Sequence, residues 1–145
     1  MNYNAIHLLD PENLYGWGRL KYDSIKTIRE IYMEEVGIQE GDAVVIATAQ
    51  GNRLAVFNAW PGAFYKFRDG KNGADIALAE FMSESRLAGR YSRVFLGSGD
   101  GGLAPYLHLL KNSGLDTVVV SRPRATSWRL NAFEHIDFPE LRRAG

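Results

Sequence analysis

Three aspartates occupy positions from which acidic side chains could support metal-dependent chemistry. Asp10 directly follows the apolar run at residues 6–9, and Asn13 comes three residues after it. Asp100 lies in a glycine-rich segment after another apolar run, and Asp75 stands at the start of a helical pattern. Carboxylates at strand ends or at a helix start can converge on one rim, and an oxygen-rich cluster suits Mg²⁺ or Mn²⁺. Such ions stabilise phosphoryl transfer and activate water for attack on phosphorus.

Each aspartate also has a purely structural interpretation. Asp10 precedes a proline and could simply begin a turn. Asp75 could serve only as the N-cap of its helix, and Asp100 could be an ordinary turn residue among glycines. Their joint placement indicates more than any one of them does alone.

The segment around Asp100 also fits a different function. Gly97-x-Gly99-x-x-Gly102 matches the dinucleotide-binding fingerprint, between an apolar run and a helical pattern. Arg122 and Arg124 follow the next apolar run, where the 2′-phosphate of NADP could bind. The carboxylate of Asp100 would repel the pyrophosphate, however, and too little chain follows to complete a dinucleotide-binding half. NADP binding is therefore the less favoured alternative.

Alternating patterns predict the elements that position these residues. Short apolar runs, typical of buried parallel strands, cover residues 5–9, 43–47, 93–96 and 117–120, with a weaker run at 63–68. Apolar side chains at helical spacing predict helices that begin at Asp23 or Ser24, near Asn52, at Asp75 and near Leu103. This alternation indicates an α/β fold in which helices cover both faces of a parallel sheet.

Length and composition exclude several classes of protein. The chain has 145 residues, and we expect residues 1–145 to form a single domain. Its 17 Lys and Arg residues balance 17 Asp and Glu residues, which disfavours a protein that coats nucleic acid or a membrane through bulk charge. The sequence has no cysteine, which excludes a disulfide scaffold and a thiolate zinc site. With no recognisable targeting segment, we expect a cytoplasmic protein without a membrane partner.

Four segments together resemble the NYN domains, a branch of the PIN-like ribonuclease superfamily that includes LabA-like proteins. Residues 8–14 are similar to the family's opening strand with its Asp-x-x-Asn motif. Residues 71–79 are similar to its Lys-Gly-x-Asp-x-x-Leu helix start, with one extra residue between Lys71 and Asp75. Residues 95–107 resemble the Ser-Gly-Asp-Gly-Asp-Phe-x-Pro-Leu signature, the most specific of the four, and residues 127–136 resemble the closing Ser-x-x-Leu segment.

The resemblance implies a fold, an activity and a set of site residues. The fold is a three-layer α/β/α sandwich around a five-stranded parallel sheet in the order 3-2-1-4-5. The activity is that of a metal-dependent ribonuclease or an RNA-processing protein. By the same resemblance, Asp10, Asp75 and Asp100 would hold Mg²⁺ or Mn²⁺. Asn13 would orient Asp10 or the scissile phosphate. Ser98 would support the loop that carries Asp100 and would contribute to substrate binding.

Two adjacent positions depart from the family signature. Gly102 stands where the signature has its second Asp, and Leu103 stands where it has Phe. Losing one carboxylate weakens cation binding and can abolish turnover, although Glu12 or Glu80 could compensate. Two interpretations therefore stay open: an endoribonuclease with a reduced acidic site, and a non-catalytic module of the same fold that binds RNA or a protein.

Basic and aromatic residues near the expected rim are candidates for contacting RNA. Lys71, Arg122 and Arg124 could contact phosphates, as could Arg19 and Arg129. Tyr15 and Trp17 could stack on unpaired bases, which favours single-stranded RNA as the partner. The alternative is that these arginines are solvated surface and that Trp17 packs on a neighbour. A further aromatic group predicts either core or an apolar surface for a protein partner, such as a second copy of the chain; it comprises Trp60, Phe64, Tyr65 and Phe67.

Overall fold

A computed structural model describes residues 4–141 of the chain as alternating strands and helices. The strands are β1 (Ala5–Leu9), β2 (Ala43–Thr48), β3 (Phe64–Phe67), β4 (Arg93–Gly97), β5 (Asp116–Ser121) and β6 (Glu134–Asp137). The α-helices are α1 (Pro11–Tyr15), α2 (Tyr22–Glu35), α3 (Arg53–Ala59), α4 (Gly73–Glu84) and α5 (Ala104–Asn112). Short 3₁₀ turns lie at Gln50–Asn52, Gly101–Leu103, Pro123–Ala125 and Trp128–Leu130. Within the described range, no helix is long and apolar enough to cross a membrane.

The strands form one parallel sheet in the order β3-β2-β1-β4-β5-β6. The predicted α/β class and the order of the first five strands are confirmed. The sheet has a sixth strand that was not predicted, because the sequence of β6 is short and polar at both ends. It pairs with β5 from Val118 opposite Glu134 to Ser121 opposite Asp137. Its outer residues are exposed, so it lacks the apolar run that marks the other strands.

Helices cover both faces of the sheet, which gives the three layers that were predicted. On one face α4 and α5 pack against side chains such as Leu8 and Leu96. On the other face α1, α2 and α3 pack against side chains such as Leu9 and Ile46. Consecutive strand residues point to opposite faces, so β1 contributes to both apolar clusters and lies at the centre of the fold.

Several helix starts differ from the prediction. The single-turn helix α1 was not predicted; it begins at Pro11, directly after Asp10. Helix α2 begins at Tyr22, one residue before the predicted cap. Helix α4 begins at Gly73, because Asn72 turns the chain with a left-handed φ of 60°. Asp75 therefore lies within the first turn of α4 and is not its N-cap.

The aromatic group at residues 60–67 divides between core and surface. Trp60 is buried in the cluster under α2 and α3, and Tyr65 donates a hydrogen bond to its carbonyl oxygen at 2.6 Å. Phe64 is 65% exposed on β3, the strand at one edge of the sheet. Of the four aromatic residues in this group, only Phe64 is exposed enough to offer an apolar surface to a protein partner.

A buried polar group joins β1 to α2 and to the residue before β2. His7 is fully buried, with its Nδ1 2.6 Å from the Tyr32 hydroxyl and its Nε2 2.9 Å from Asp42 Oδ2. The Asp42 carboxylate also accepts hydrogen bonds from the backbone amides of Ala5 and Gln39. Burial lowers the pKa of His7 below 6.5, although Asp42 opposes the shift, so the imidazole is neutral at pH 7.

We expect Tyr32→Phe to lower the free energy of unfolding by about 1–3 kcal/mol, because a buried His7 nitrogen then loses its partner. Tyr22→Phe, at an exposed position of the same helix, is the matched control and should change little. Urea unfolding followed by circular dichroism measures both. Equal midpoints for the two variants would contradict the role assigned to the buried hydroxyl.

Candidate active site

The carboxyl ends of β1 and β4 and the first turn of α4 border an open pocket of about 400 Å³. Four acidic side chains line it, namely Asp10, Glu12, Asp75 and Asp100. The structure therefore brings the three sequence-predicted aspartates to one pocket and adds a glutamate. The charges of the other three acids all raise the pKa of Asp75, so the four carboxyls interact electrostatically.

Asp10 is fixed by the end of the central strand. Its amide donates to the carbonyl oxygen of Gly97 at 3.0 Å, which continues the pairing of β1 with β4 by one residue. Its Oδ1 accepts a hydrogen bond from the Asn13 amide at 3.1 Å and so caps α1. The side chain is only 6% exposed. Burial raises the pKa of Asp10 from 3.8 to about 7, the charges of Glu12 and Asp100 add to the rise, and the Asn13 amide opposes it.

Asp100 is held in the loop after β4 by two hydrogen bonds to neighbouring residues. Its amide donates to Ser98 Oγ at 3.2 Å, and its Oδ1 accepts from the Gly102 amide at 2.7 Å. Ser98 is fully buried, so its expected support of the loop fits this geometry, but it cannot touch a ligand in the pocket. The prediction that Ser98 contacts the substrate is therefore wrong.

Asn13 connects the two acidic segments. Its backbone amide binds Asp10, as described, and its side-chain Oδ1 accepts a hydrogen bond from the Gly99 amide at 2.9 Å. The Asp-x-x-Asn spacing thus ties α1 to the loop of Asp100. Through these two bonds Asn13 positions two carboxyls relative to each other.

Asp75 projects from the first turn of α4 and is half-buried. Its Oδ1 is buried and has no hydrogen-bond partner among the described residues. The pKa of Asp75 rises from 3.8 to about 8, and burial is the largest cause. The second cause is the adjacent Asp100 carboxyl, to which protonated Asp75 can donate a hydrogen bond. This oxygen is the polar atom of the pocket that most needs a partner.

Glu12 is the acid that is held most firmly. Its Oε1 accepts hydrogen bonds from the Thr48 hydroxyl at 2.8 Å, the Asn52 amide group at 2.9 Å and the Ala49 backbone at 3.3 Å. Within residues 4–141 its Oε2 has no hydrogen-bond donor, and the residue lines the pocket. Three donors on one oxygen fix the carboxylate at the end of β2.

The acids suit a hard cation chemically but do not yet surround one. Within residues 4–141, no three carboxylates or imidazoles are arranged as a coordination group for a metal ion. The acidic donors are all oxygens, and Asp75 Oδ1 is an orphaned buried acceptor, which is the chemistry that Mg²⁺ and Mn²⁺ prefer. Burial and the neighbouring carboxyls raise the pKa values of Asp10 and Asp75 to about 7 and about 8, so both side chains hold a proton to a higher pH than an ordinary aspartate does.

Comparison with known proteins bears on the family and the fold of the chain. The family model of the NYN domain matches residues 8–138. The chain belongs to the NYN domain family. Its fold is therefore that of the PIN-like nuclease superfamily. This NYN domain is also similar to the crystal structure of a protein of unknown function from Vibrio parahaemolyticus, with a TM-score of 0.64 and 16% identity over 94% of this chain and 93% of that chain. A search of curated proteins found no match.

Basic residues border the acidic pocket of the NYN domain, but not all of those that were predicted. Arg122 lines it, and its guanidinium donates to the Asn13 carbonyl oxygen at 2.9 Å and to Glu140 at 3.1 Å. Lys71 and Arg124 are exposed and are not among the described residues that line the pocket. Arg68 lines it and was not predicted. Arg68 directly follows β3, so the rule that ligands bind at strand ends would have identified it.

The two carboxylates suggested as substitutes for the missing acid occupy different places. Glu12 lies in the pocket. Glu80 forms an ion pair with Arg68 at 2.7 Å and lies outside the described lining. Of the two, Glu12 is positioned to add negative charge to the site.

Of the two aromatic residues expected to contact bases, one is excluded. Tyr15 is 7% exposed and packs in the core under α2, so the prediction that its ring stacks on a base is wrong. Trp17 is 46% exposed, and its indole N–H donates to the Leu141 carbonyl oxygen. Base stacking by Trp17 stays a prediction.

The glycines of the Asp100 loop have a packing explanation that competes with dinucleotide binding. A Cβ atom on Gly99 would lie 2.1 Å from the Ala125 carbonyl oxygen, and one on Gly101 would lie 2.4 Å from Ser127 Oγ. The Ser127 amide also donates to the Gly99 carbonyl oxygen at 2.9 Å. The loop is glycine-rich because the segment after β5 packs directly on its backbone, where the fingerprint would require a pyrophosphate.

We expect Asp10→Asn to stabilise the metal-free fold at alkaline pH. The folded-state pKa of Asp10, about 7, exceeds the ordinary 3.8, so the folded chain binds more protons between these values. The free energy of unfolding therefore falls as the pH rises from 4 to 7, and Asn removes this loss. The gain should be roughly 2–4 kcal/mol at pH 8 and under ~1 kcal/mol at pH 4.

Urea unfolding in EDTA at both pH values measures this gain. Glu34→Gln, at an exposed position of α2, is the control and should show no such pH-dependent difference. A destabilised Asp10→Asn at pH 8 would contradict the assigned burial penalty.

Proposed function

We propose that this NYN domain is a metal-dependent endoribonuclease that hydrolyses phosphodiester bonds of single-stranded RNA. The observation that carries the proposal is the convergence of Asp10, Asp75 and Asp100 on one pocket at the carboxyl end of the sheet. Membership of the NYN family supports a role of the ribonuclease type. Burial and mutual repulsion raise the pKa values of Asp10 and Asp75, and this arrangement costs stability. Carboxyls with such raised pKa values cluster at functional sites.

Asp10, Asp75 and Asp100 are the residues that would hold Mg²⁺ or Mn²⁺. When bound, the cation supplies a Lewis acid that polarises a phosphoryl oxygen and makes water a stronger nucleophile at neutral pH. Binding of the cation would favour the ionised carboxylates of Asp10 and Asp75 over the protonated forms that their raised pKa values favour. The unpartnered Asp75 Oδ1 supports this assignment, because it would gain a ligand.

The remaining groups of the pocket act on position and charge. Asn13 holds Asp10 and the loop of Asp100 in a fixed relation through its amide and its Oδ1. Arg68 and Arg122 supply positive charge on the pocket wall for the scissile phosphate. Hydrogen bonds hold the Glu12 side chain near Asp10, where it adds an oxygen ligand group to the surroundings of a cation.

A second function is favoured by the glycine at position 102. A non-catalytic module that binds RNA or a protein does not need the second acid of the signature, and Gly102 stands at that position. It also does not need a preformed coordination group, and the described residues contain none. In that case the basic wall of the pocket would still bind phosphate, and no hydrolysis would follow.

Cleavage of end-labelled single-stranded RNA in Mn²⁺ or Mg²⁺ separates the two functions. We expect wild-type protein to cut the RNA and EDTA to stop it. Asp10→Asn and Asp100→Asn should each reduce the rate by about 100-fold or more, because each removes a cation ligand. Product bands on denaturing gels measure the rate.

Asp116→Asn is the matched control, since this exposed aspartate begins β5 and so lies at the amino ends of the strands, opposite the end that carries the pocket. Cleavage that persists in the double variant of Asp10 and Asp100 would indicate a contaminating nuclease and exclude the proposal. RNA binding without cleavage by wild-type protein would establish the non-catalytic function instead.

Gly102→Asp should restore the acid that the family signature has at this position. Gly102 lines a smaller adjoining pocket together with Asp75 and Asp100, and its backbone φ is accessible to other residues. An added Cβ would lie 3.0 Å from Asp100 Oδ1, so this carboxylate must shift by a few tenths of an ångström. We expect apparent Mn²⁺ affinity to rise by on the order of 10-fold, measured as the Mn²⁺ concentration that raises the melting temperature.

Gly51→Asp is the control, because a side chain at this position of the Gln50–Asn52 turn meets no neighbour within 4 Å. Equal Mn²⁺ dependence in both variants would mean that position 102 contributes no ligand. A folded Gly102→Asp that binds Mn²⁺ more tightly but still leaves RNA intact would favour the non-catalytic function.

A further inference from the structure

We infer that Trp128 is a stacking platform for one unpaired base of the RNA, in a subsite beside the acidic pocket. This inference rests on the proposed function, because it names the part of the RNA that lies next to the scissile phosphate. It assigns the base contact to a residue in the segment after β5, which motif spacing does not reveal.

Trp128 is exposed although its segment is firmly held. Its side chain is 75% exposed, the most exposed of the large apolar side chains in residues 4–141. The neighbouring Leu130 is fully buried in the core, and Ser127 Oγ accepts the Arg129 amide at 3.2 Å. A tryptophan on an ordered 3₁₀ turn with its ring in water is an unusual use of a large apolar surface. Such a ring is preorganised for a planar partner.

The ring borders an open cavity of about 500 Å³ whose lining is mostly apolar. Pro105 and His108 of α5 supply one side, and Gly101 and Gly102 supply a wall without side chains. Apolar and aromatic walls with a few polar groups suit a flat heterocycle. The volume of the cavity is in the size range of a small-molecule site.

The cavity adjoins the acidic site at the backbone of the Asp100 loop. Gly102 lines the Trp128 cavity and also the adjoining pocket that contains Asp75 and Asp100. The Trp128 turn is fixed to this loop, since the Ser127 amide donates to the Gly99 carbonyl oxygen. An RNA strand whose phosphate lies at the acids can therefore place a neighbouring base on Trp128.

Charge favours nucleic acid as the occupant. The Arg129 guanidinium lies 5.7 Å from the centroid of the Trp128 ring and also lines the cavity. It supplies the positive charge that a sugar-phosphate linkage beside a stacked base requires, and arginine itself stacks on bases. Duplex RNA is excluded from such contact, because its bases are already stacked on each other.

Fluorescence anisotropy in EDTA, with a labelled single-stranded RNA, tests the subsite without cleavage. We expect Trp128→Ala to weaken binding by roughly 5- to 100-fold and Trp128→Phe to retain most of the affinity. Removing single bases from the RNA should weaken binding to wild-type protein at one position. Removing the base at that position should not weaken the binding of Trp128→Ala any further. This non-additivity in a double-mutant cycle is the sign of a direct contact between the ring and the base.

Phe64→Ala is the matched control, since it removes another exposed aromatic ring at the opposite edge of the sheet and should bind RNA normally. Urea unfolding confirms that the variants fold. Unchanged affinity of Trp128→Ala, equal losses for Ala and Phe, or an equal loss on duplex RNA would each overturn the inference. Unchanged RNA affinity with altered self-association in sedimentation would also overturn it and assign the surface to protein contact.

The subsite and the nuclease can fail separately. Base-dependent loss of binding without any Mn²⁺-dependent cleavage would keep the subsite and exclude the nuclease. Cleavage by wild-type protein with normal binding by Trp128→Ala would do the reverse.

Discussion

The pairing of β1 with β4 is the constraint on which the acidic pocket depends. Leu9 lies opposite Gly97, and the amide of Asp10 then binds the carbonyl oxygen of Gly97 at 3.0 Å. This register brings the ends of two strands that are far apart in sequence to the same height. The side chain of Asn13 crosses the gap to Gly99, so the first helix and the Asp100 loop share one framework. A one-residue slip would turn every side chain of β1 to the opposite face.

The same constraint produces electrostatic conflict. Burial and neighbouring carboxyls raise the pKa of Asp10 to about 7 and that of Asp75 to about 8, well above the value of an ordinary aspartate. Hydrogen bonds to Glu12 and Asp100 limit their freedom to move away from each other. A fold that confines like charges in this way is less stable than it could be, which is the usual condition of a functional site. The polar group of His7, Tyr32 and Asp42, by contrast, is saturated and stabilises β1.

Much of this arrangement could be predicted from sequence, for identifiable reasons. Apolar runs marked the buried strands, and the strand-end rule marked Asp10 and Asp100, because period and burial are local signals. Strand β6 was not predicted, because an exposed edge strand such as Glu134–Asp137 has no apolar run. The burial of Tyr15 could not be predicted from the sequence, because it depends on how α1 packs beneath α2. The donors that hold Glu12 come from residues 48–52, and contacts over such sequence distances leave no mark in spacing.

The segment after β5 that packs on Gly99 has a consequence for biosynthesis. Strand β1 leaves the ribosome first, yet its partner β4 begins at Arg93, and the loop of Asp100 also packs on Ala125 and Ser127, which follow β5. Parallel strands so far apart in sequence pair slowly, because a long loop must close before any contact forms. The acids can therefore assemble only when nearly the whole domain has been translated. A nascent chain that is still tethered to the ribosome, and so surrounded by RNA, lacks a formed acidic pocket until its last strands emerge.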